Sequence, residues 1–277
     1  MNRTMITAVN TLSQLQKQLD IISNNMANVD TNGYKRRQTS FADLLVQQFN
    51  NQPNQAEEIG RLTPFGIRQG VGAKLAQSQM ISDQGSIKNS DRPLDTAFTR
   101  ENQLYRVLTP NNGIQYTRDG ALYLTPVSAA ETMLVTGDGY PILDENNNPI
   151  YLDGQASDFR ILQNGQLIVA MQDGTEQKYN LGVSLVKKPQ FLENKGGNLL
   201  GVPENFNELG LTEEDIFTNL TGDLRGEISI QQFALEHSNV DVATEMTDLM
   251  NVQRAYQFQS RAVTLSDQMM GLVNGLR

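Results

Sequence analysis

The chain has no cysteine and no tryptophan, and His237 is its single histidine. Without cysteine there is no disulfide, no thiolate metal site and no cysteine nucleophile. One histidine, with no second to pair with, offers little to zinc or to acid–base chemistry. Its neighbour Ser238 does not make a triad, which needs nucleophile, base and an orienting group to meet in space. At the start of the last helical stretch, His237 suits capping or an interface better than catalysis. Aromatics are scarce at 6%, and hydrophobic residues make up 38% of the 277. That permits a core, though not a generous one, in one large domain or two smaller ones. No apolar run is long enough to span a bilayer, and no basic segment followed by an apolar one marks a cleaved signal peptide. Those absences alone point to the cytoplasm. Positive charge is short as well: a net charge of -9 argues against nucleic acid, and Lys35-Arg36-Arg37 is too brief a run to reverse that.

The motifs that would carry a ligand fail on spacing. Asp144-Glu145-Asn146-Asn147-Asn148-Pro149 begins like a calcium loop, but Pro149 stands where the loop needs glycine and Gln155 where it needs a bidentate glutamate. A β-turn is the better reading. Gly70-Val71-Gly72 and Gly137-Asp138-Gly139 lack the spacing of a phosphate-binding loop. No catalytic residue, no metal and no cofactor is expected.

The chain is organised instead around its two ends. Met1, Met5, Ala8, Leu12, Leu15, Leu19, Ile22, Met26 and Val29 alternate at spacings of four and three, an unbroken heptad seam. The seam runs into Asn28, Asp30, Asn32 and Gly33, where amide and carboxylate side chains compete for backbone hydrogen bonds and glycine accepts a left-handed turn. At about 1.5 Å per residue this helix extends roughly 40 Å. The closing stretch, Leu235 to Arg277, carries two seams. One runs through Val242, Met246, Leu249, Tyr256, Val263 and Met270; the other through Ala255, Phe258, Ala262, Leu265, Met269, Leu272 and Leu276. At 100° per residue they lie on different sides of a helix. A single intramolecular partner covers one side, so the other predicts contact with neighbouring subunits. The charges on the two end regions are of opposite net sign, which favours their pairing, though exposed pairs are typically worth under ~1 kcal/mol.

Between the ends the pattern changes twice. The short amphipathic piece Phe41, Leu44, Leu45, Phe49 is followed, over residues 54–95, by extended and weakly regular chain. From about Pro93 short strands alternate with turn signals. Gln103–Leu108, which reads as a strand alternating between core and solvent, and Ile114–Thr117 flank Asn111-Asn112-Gly113, and a meander runs Phe159–Leu162, Asn164-Gly165, Gln166–Met171, Asp173-Gly174 and a third run to Val186. Residues 189–226 return to glycine, asparagine, proline and acidic residues. The reading is an α+β protein: residues 1–35 and 231–277 form a terminal helical domain, with the long helices paired as a coiled-coil-like layer. Residues 36–92 and 190–230 connect it to an inserted all-β domain, antiparallel, at 93–189.

Two stretches point to a family. Ile22-Ser23-Asn24-Asn25-Met26-Ala27-Asn28-Val29-Asp30-Thr31-Asn32-Gly33-Tyr34-Lys35 resembles the N-terminal signature of the bacterial flagellar rod and hook proteins. Ser238-Asn239-Val240-Asp241, Glu245–Met250, Gln253-Arg254-Ala255-Tyr256 and Ser266–Met270 resemble the C-terminal one. Tyr116–Gly120 and Leu134–Gly139 are similar to a strand–turn pattern of the same family. A departure lies at Leu94–Asn102, where the family usually carries an apolar strand and a Gly-x-Gly-Phe-Phe element.

The resemblance implies a non-enzymatic axial subunit of the flagellar basal body. Such a subunit self-associates into a helical filament and meets other rod and hook proteins. It leaves through the flagellar export apparatus without a cleaved signal peptide and acts outside the cytoplasmic membrane, which replaces the cytoplasmic expectation; no membrane insertion is implied. Length and sequence suggest the distal rod, with a proximal rod or hook-type subunit as the alternative. The expected interface residues are Leu12, Leu15, Leu19, Ile22, Val29, Val240, Leu249, Tyr256, Val263 and Met270 for packing. Asn24, Asn25, Asn28, Asn239, Gln253 and Arg254 are expected to fix register, since buried amides demand partners, and Gly33 to make the turn. Outside the family, a secreted wall-acting enzyme on a coiled-coil stalk predicts clustered acidic or metal-binding side chains in the middle domain. A β-domain binding module displayed on a coiled coil is the third reading.

Overall fold

The computed structural model describes residues 2–43, 47–49, 67–69, 73–110, 113–128, 131–153, 156–203, 210 and 212–275. The fold is mixed α/β, with a helix at Asn2–Ala27, a strand-rich middle and a helix at Val242–Gly275. It divides into two compact units: Met1–Asn24, Arg37–Ser78 and Val242–Arg277 make up one, Asn25–Arg36 and Gln79–Asp241 the other.

In the first unit the N-terminal helix runs 26 residues, about 39 Å at 1.5 Å per residue. Its burial follows the heptad reading: Ala8 and Ile22 are buried and Leu12, Leu15 and Leu19 half-buried, while Ile6 and Val9 stand about half exposed on another face. Val29 lies in the turn beyond the helix. Residues 54–95 are more regular than their composition suggests, with strands at Ile67–Gln69, Ala73–Met80 and Ile87–Asn89. Residues 51–66 and 70–72, including Gly70-Val71-Gly72, lie outside the described residues, as do Leu44 and Leu45. Arg37–Asp43 pairs with Ala73–Met80, and Gln47–Phe49 with Ile67–Gln69.

The second unit is built on a six-stranded antiparallel sheet in the order Glu193–Gly196, Leu199–Gly201, Ile114–Thr117, Gln103–Leu108, Val183–Val186, Phe217–Asn219. Gln103–Leu108 was expected to alternate between core and solvent. It is buried along both faces, because it sits inside the sheet with a hydrophobic layer against it that includes Leu122, Leu134, Ile142, Leu167 and Leu181. The meander forms with strands Ala156–Ile161, Gln166–Met171 and Glu176–Asn180. Gly165 and Gly174 supply the positive φ of its turns. Its third run does not continue to Val186. The chain breaks at Leu181-Gly182, and Val183–Val186 crosses to the large sheet, with Gly182 pressed so close to Arg106 Nε and the carbonyls of Leu143 and Asp144 that a side chain has no room.

Strands also run well past residue 190, through Glu193–Gly201, Phe217–Asn219, Ile230–Gln232 and Ala234–Glu236. Ile230–Gln232 pairs with Thr96–Phe98 and Ala234–Glu236 with Ile87–Asn89. The C-terminal helix therefore begins at Val242 rather than Leu235, and His237, in extended chain, donates its backbone N–H to Ser86 O. The Asp144 loop is a turn. Its carboxylate accepts the N–H groups of Asn146 and Asn148, both at 2.8 Å, and the buried Arg106 guanidinium caps the carbonyls of Asp144 and Glu145 at 3.2 and 3.3 Å.

Two further glycines mark where segments touch backbone to backbone. A Cβ on Gly120 would stand 1.8 Å from Thr96 O, and one on Gly85 1.9 Å from His237 O. Gly226, by contrast, has nothing within 4 Å. Gly120→Ala is expected to lower unfolding free energy by about 1–3 kcal/mol, the usual cost of overpacking. Gly226→Ala should stay within about 0.5 kcal/mol of the parent. Chemical denaturation of both variants checks the contrast.

Candidate functional site

Glu236 is 2% exposed, and four groups converge on it. Its Oε1 accepts from Lys35 Nζ at 2.6 Å and from the Gly85 N–H at 2.9 Å. Its Oε2 accepts from Arg118 Nε at 2.6 Å, and its backbone carbonyl accepts from the Gly33 N–H at 2.8 Å. One carboxylate thus ties the residues after the N-terminal helix, the strap before the C-terminal helix and the turn after strand Ile114–Thr117. Around it Lys35 Nζ also reaches Asp83 O at 2.7 Å, and Arg118 Nη1 reaches Gln103 O at 2.7 Å.

Gly33 turns at φ 69°, and a Cβ there would meet the Arg118 carbonyl at 2.6 Å and Asp119 N at 2.8 Å. Only glycine satisfies both the left-handed backbone and the contact. The asparagines complete the clamp. Asn25, 1% exposed, accepts from Tyr34 OH at 3.1 Å; Asn28 Oδ1 accepts from Thr31 Oγ1 at 3.1 Å. Asn239 accepts the Arg36 N–H at 2.7 Å and donates to Ile81 O and Asp83 O, each at 3.0 Å. Each stretch of chain is held by the side chains of another.

Burial works against ionising Glu236, yet Arg118 and Lys35 together outweigh it and hold the carboxyl below the ordinary glutamate range. For Lys35 the balance goes the other way: burial first, with Arg118 beside it, draws the ammonium below its usual value despite Glu236. Two cations on one carboxylate explain the asymmetry. Asp119 is pushed up to about 6 by burial, with Asp138 and Asp95 adding to the effect.

The expected interface residues fall into two groups. Asn25, Asn28, Gly33, Asn239 and Val240 come together in the second unit, at or beside the clamp. Leu12, Leu15, Leu19 and Ile22 lie on the N-terminal helix; Leu249, Gln253, Arg254, Tyr256, Val263 and Met270 lie on the C-terminal one. On the latter Leu249, Val263 and Met270 are partly covered, Tyr256 is 37% exposed, and Gln253 and Arg254 are exposed; Asn24, near the end of the N-terminal helix, is exposed too. The first seam is covered only in part: Val242 and Met246 stand open at 38% and 50%, whereas Val252, Ser266 and Glu245 are buried instead. The second seam is open from Ala255 to Leu272, with Phe258 at 69%, Leu265 at 59%, Met269 at 52% and Leu272 at 70%; Leu276 lies outside the described residues.

Sequence reasoning missed Lys35, Arg118 and Glu236 as the centre. The available signal was a charged residue in apolar company, as in Ala234-Leu235-Glu236, with no charged neighbour along its strand.

A clamp that spends its charged groups on one another, in a chain that also carries a long helix with an uncovered apolar stripe, suits a structural protein better than an enzyme. Comparison with known proteins gives the particular class. Residues 5–35 match the family described as flagella basal body rod protein, 100–169 the flagellar hook protein FlgE/F/G D1 domain, and 231–276 the flagellar basal body rod FlgEFG protein C-terminal family. The chain is 45% identical to the flagellar hook-basal body complex protein FlhP of Bacillus subtilis over the full length of both. It is 32% identical to the flagellar basal-body rod protein FlgG of Buchnera aphidicola over 94% of each chain. It is 30% identical to FlgG of Borreliella burgdorferi over 100% of this chain and 99% of the other. The chain belongs to the flagellar basal-body rod and hook protein family. It is a structural rod subunit of the basal body and not an enzyme. Among the described residues, no helix is long and apolar enough to cross a membrane.

Glu236→Gln keeps the shape and removes the charge, leaving Lys35 and Arg118 buried without their counter-ion. A loss of about 3 kcal/mol is expected, as for breaking a buried pair from one side. Because the folded-state pKa of Glu236 lies below its unfolded value, its contribution is present at neutral pH and lost as acid protonates the folded carboxylate. Urea titrations across the acid range should show that component in the parent and not in Glu236→Gln.

Proposed function

We propose that copies of this chain stack helically into the distal rod and transmit torque to the hook. In that assembly the terminal helices pair in a coiled-coil-like layer, and the open second seam of the C-terminal helix packs on helices of neighbouring copies. The supporting observation is that seam. Ala255, Phe258, Ala262, Leu265, Met269 and Leu272 recur at helical spacing, and all six are exposed in the single chain. A contiguous apolar stripe of this kind marks an interaction surface, and a head-to-tail contact that does not close generates a filament. Length and sequence favour the distal position. Other rod and hook subunits are the partners above and below, and the flagellar export apparatus delivers the chain across the cytoplasmic membrane without a cleaved signal peptide. Leu12, Leu15, Leu19, Ile22, Leu249, Tyr256, Val263 and Met270 serve the helix packing. Asn24, Gln253 and Arg254, exposed in the monomer, set register between copies.

Phe258→Asp and Leu265→Asp test this. Both side chains are exposed, so the monomer should keep its stability to within about 0.5 kcal/mol. Assembly into basal bodies, and with it motility, should be lost. Normal rods from both variants would contradict the assignment of the seam.

A further inference from the structure

Phe233 is held in a backbone conformation that its side chain disfavours. Its φ is 58°, in the left-handed region, and among the described residues every other non-glycine found there is an asparagine: Asn102, Asn147 and Asn198. Asparagine tolerates that region, whereas a bulky residue in it is strained. The backbone has reason to be there. The Phe233 N–H donates to Asp95 O at 2.9 Å and its carbonyl accepts the Ser90 N–H at 2.8 Å, where the strap passes from Thr96–Phe98 to Ile87–Asn89. The ring has no such reason: it is 46% exposed and belongs to neither hydrophobic cluster of the second unit. Glycine would make the same turn without the strain and without apolar surface in water.

Along the strap Ala234 and Glu236 are buried, so the alternation turns Phe233 and Leu235 outward, with the exposed Lys88 opposite Leu235. A pocket of about 430 Å³ elsewhere on the unit has matching features. It is lined by the rings of Tyr116 and Phe217, stacked with centroids 3.8 Å apart, and by the 37% exposed Ile114. Lys187 and Glu214 are the exposed charges of its lining beside Glu213, whose carboxylate is taken by the Tyr116 hydroxyl. Among the described residues, neither Lys88 nor the Glu214 carboxylate has an ion-pair partner. Ring and pocket lie on opposite sides of the six-stranded sheet. Leu104 packs with Tyr116 and Phe217 on one side, while Tyr105 and Val107 pack on the other with Ile230, at the start of the strap. A copy therefore does not fill its own pocket, and a knob on one side that fits a pocket on the other makes a contact that repeats without closing.

We propose that Phe233 of one copy inserts into the pocket lined by Ile114, Tyr116 and Phe217 of the next, with Lys88 set against Glu214. The proposal rests on the reading that copies of this chain stack helically, and it adds a contact between second units to the one made by the helical seam. An aromatic anchor in a pocket with a charged rim is the usual make-up of an interface's energetic centre.

The chain has no cysteine, so thiols introduced by Lys88→Cys and Glu214→Cys pair only with each other. Oxidation of basal bodies carrying both substitutions is expected to give a ladder of covalent dimers, trimers and larger species, and neither single variant any multimer. Phe233→Gly should leave the melting midpoint of the purified subunit no lower than the parent's, because the relieved strain offsets the ring's lost contacts. The yield of assembled rods should nevertheless fall about tenfold or more, and this decides the matter even if the double variant does not assemble. Rods without a ladder, or Phe233→Gly rods at the parental yield, overturn the contact. Phe258→Asp tells the two readings apart. If it abolishes assembly while Phe233→Gly does not, stacking through the seam stands and this contact falls; if both assemble normally, both fall.

Discussion

Four stretches of the second unit that lie far apart in sequence meet at one buried carboxylate. Glu236 receives Lys35 from 201 residues away and Arg118 from 118 residues away, and with Gly85 and Gly33 it fixes four stretches of chain at once. A charge so buried is expensive unless paired and hydrogen-bonded, which makes the clamp all-or-none: remove one member and the rest are left desolvated. Buried ion pairs contribute little net stability over an apolar alternative. Here the benefit lies in geometry, since only one arrangement of Gly33, Gly85 and Gly120 lets the backbones approach closely enough for the charges to meet.

The two ends of the chain do different work around that constraint. The residues following the N-terminal helix and preceding the C-terminal one are locked by polar contacts within the second unit. The C-terminal helix keeps a row of large apolar side chains in solvent. A monomeric protein rarely leaves such a row open along a helix of 34 residues, and a rod subunit, which gains its stability by stacking, has reason to. The clamp makes the subunit definite; under the proposed function the seam is the surface that meets its neighbours.

Much of this was legible in the chain. The heptad spacing from Met5 to Met26 predicts the buried side of the N-terminal helix, because a helical stripe needs only local periodicity. Asn164-Gly165 and Asp173-Gly174 predict two turns that form as read. The second seam, Phe258 to Leu272, is visible as surplus apolar surface. What was hidden was long-range. Gln103–Leu108 reads as alternating and is buried on both faces, which depends on layers supplied by residues far away. Leu235 reads as helix because its spacing suits one, yet the strap Ala234–Glu236 finds a strand partner in Ile87–Asn89. Lys35 reads as part of a basic surface run, and only the fold brings Glu236 to it. The exposed Asn24, Gln253 and Arg254 stand outside the isolated subunit's core.

The central claim is that Glu236 holds the chain on either side of it as firmly as the β-core is held. Amide hydrogen exchange of the purified subunit reads this directly, through the N–H groups of Gly33 and Gly85 that end on Glu236. Both should exchange as slowly as core amides such as that of Leu134, through global unfolding. Exchange of Gly33 and Gly85 at the rate of surface turns, with Leu134 still protected, would contradict the account.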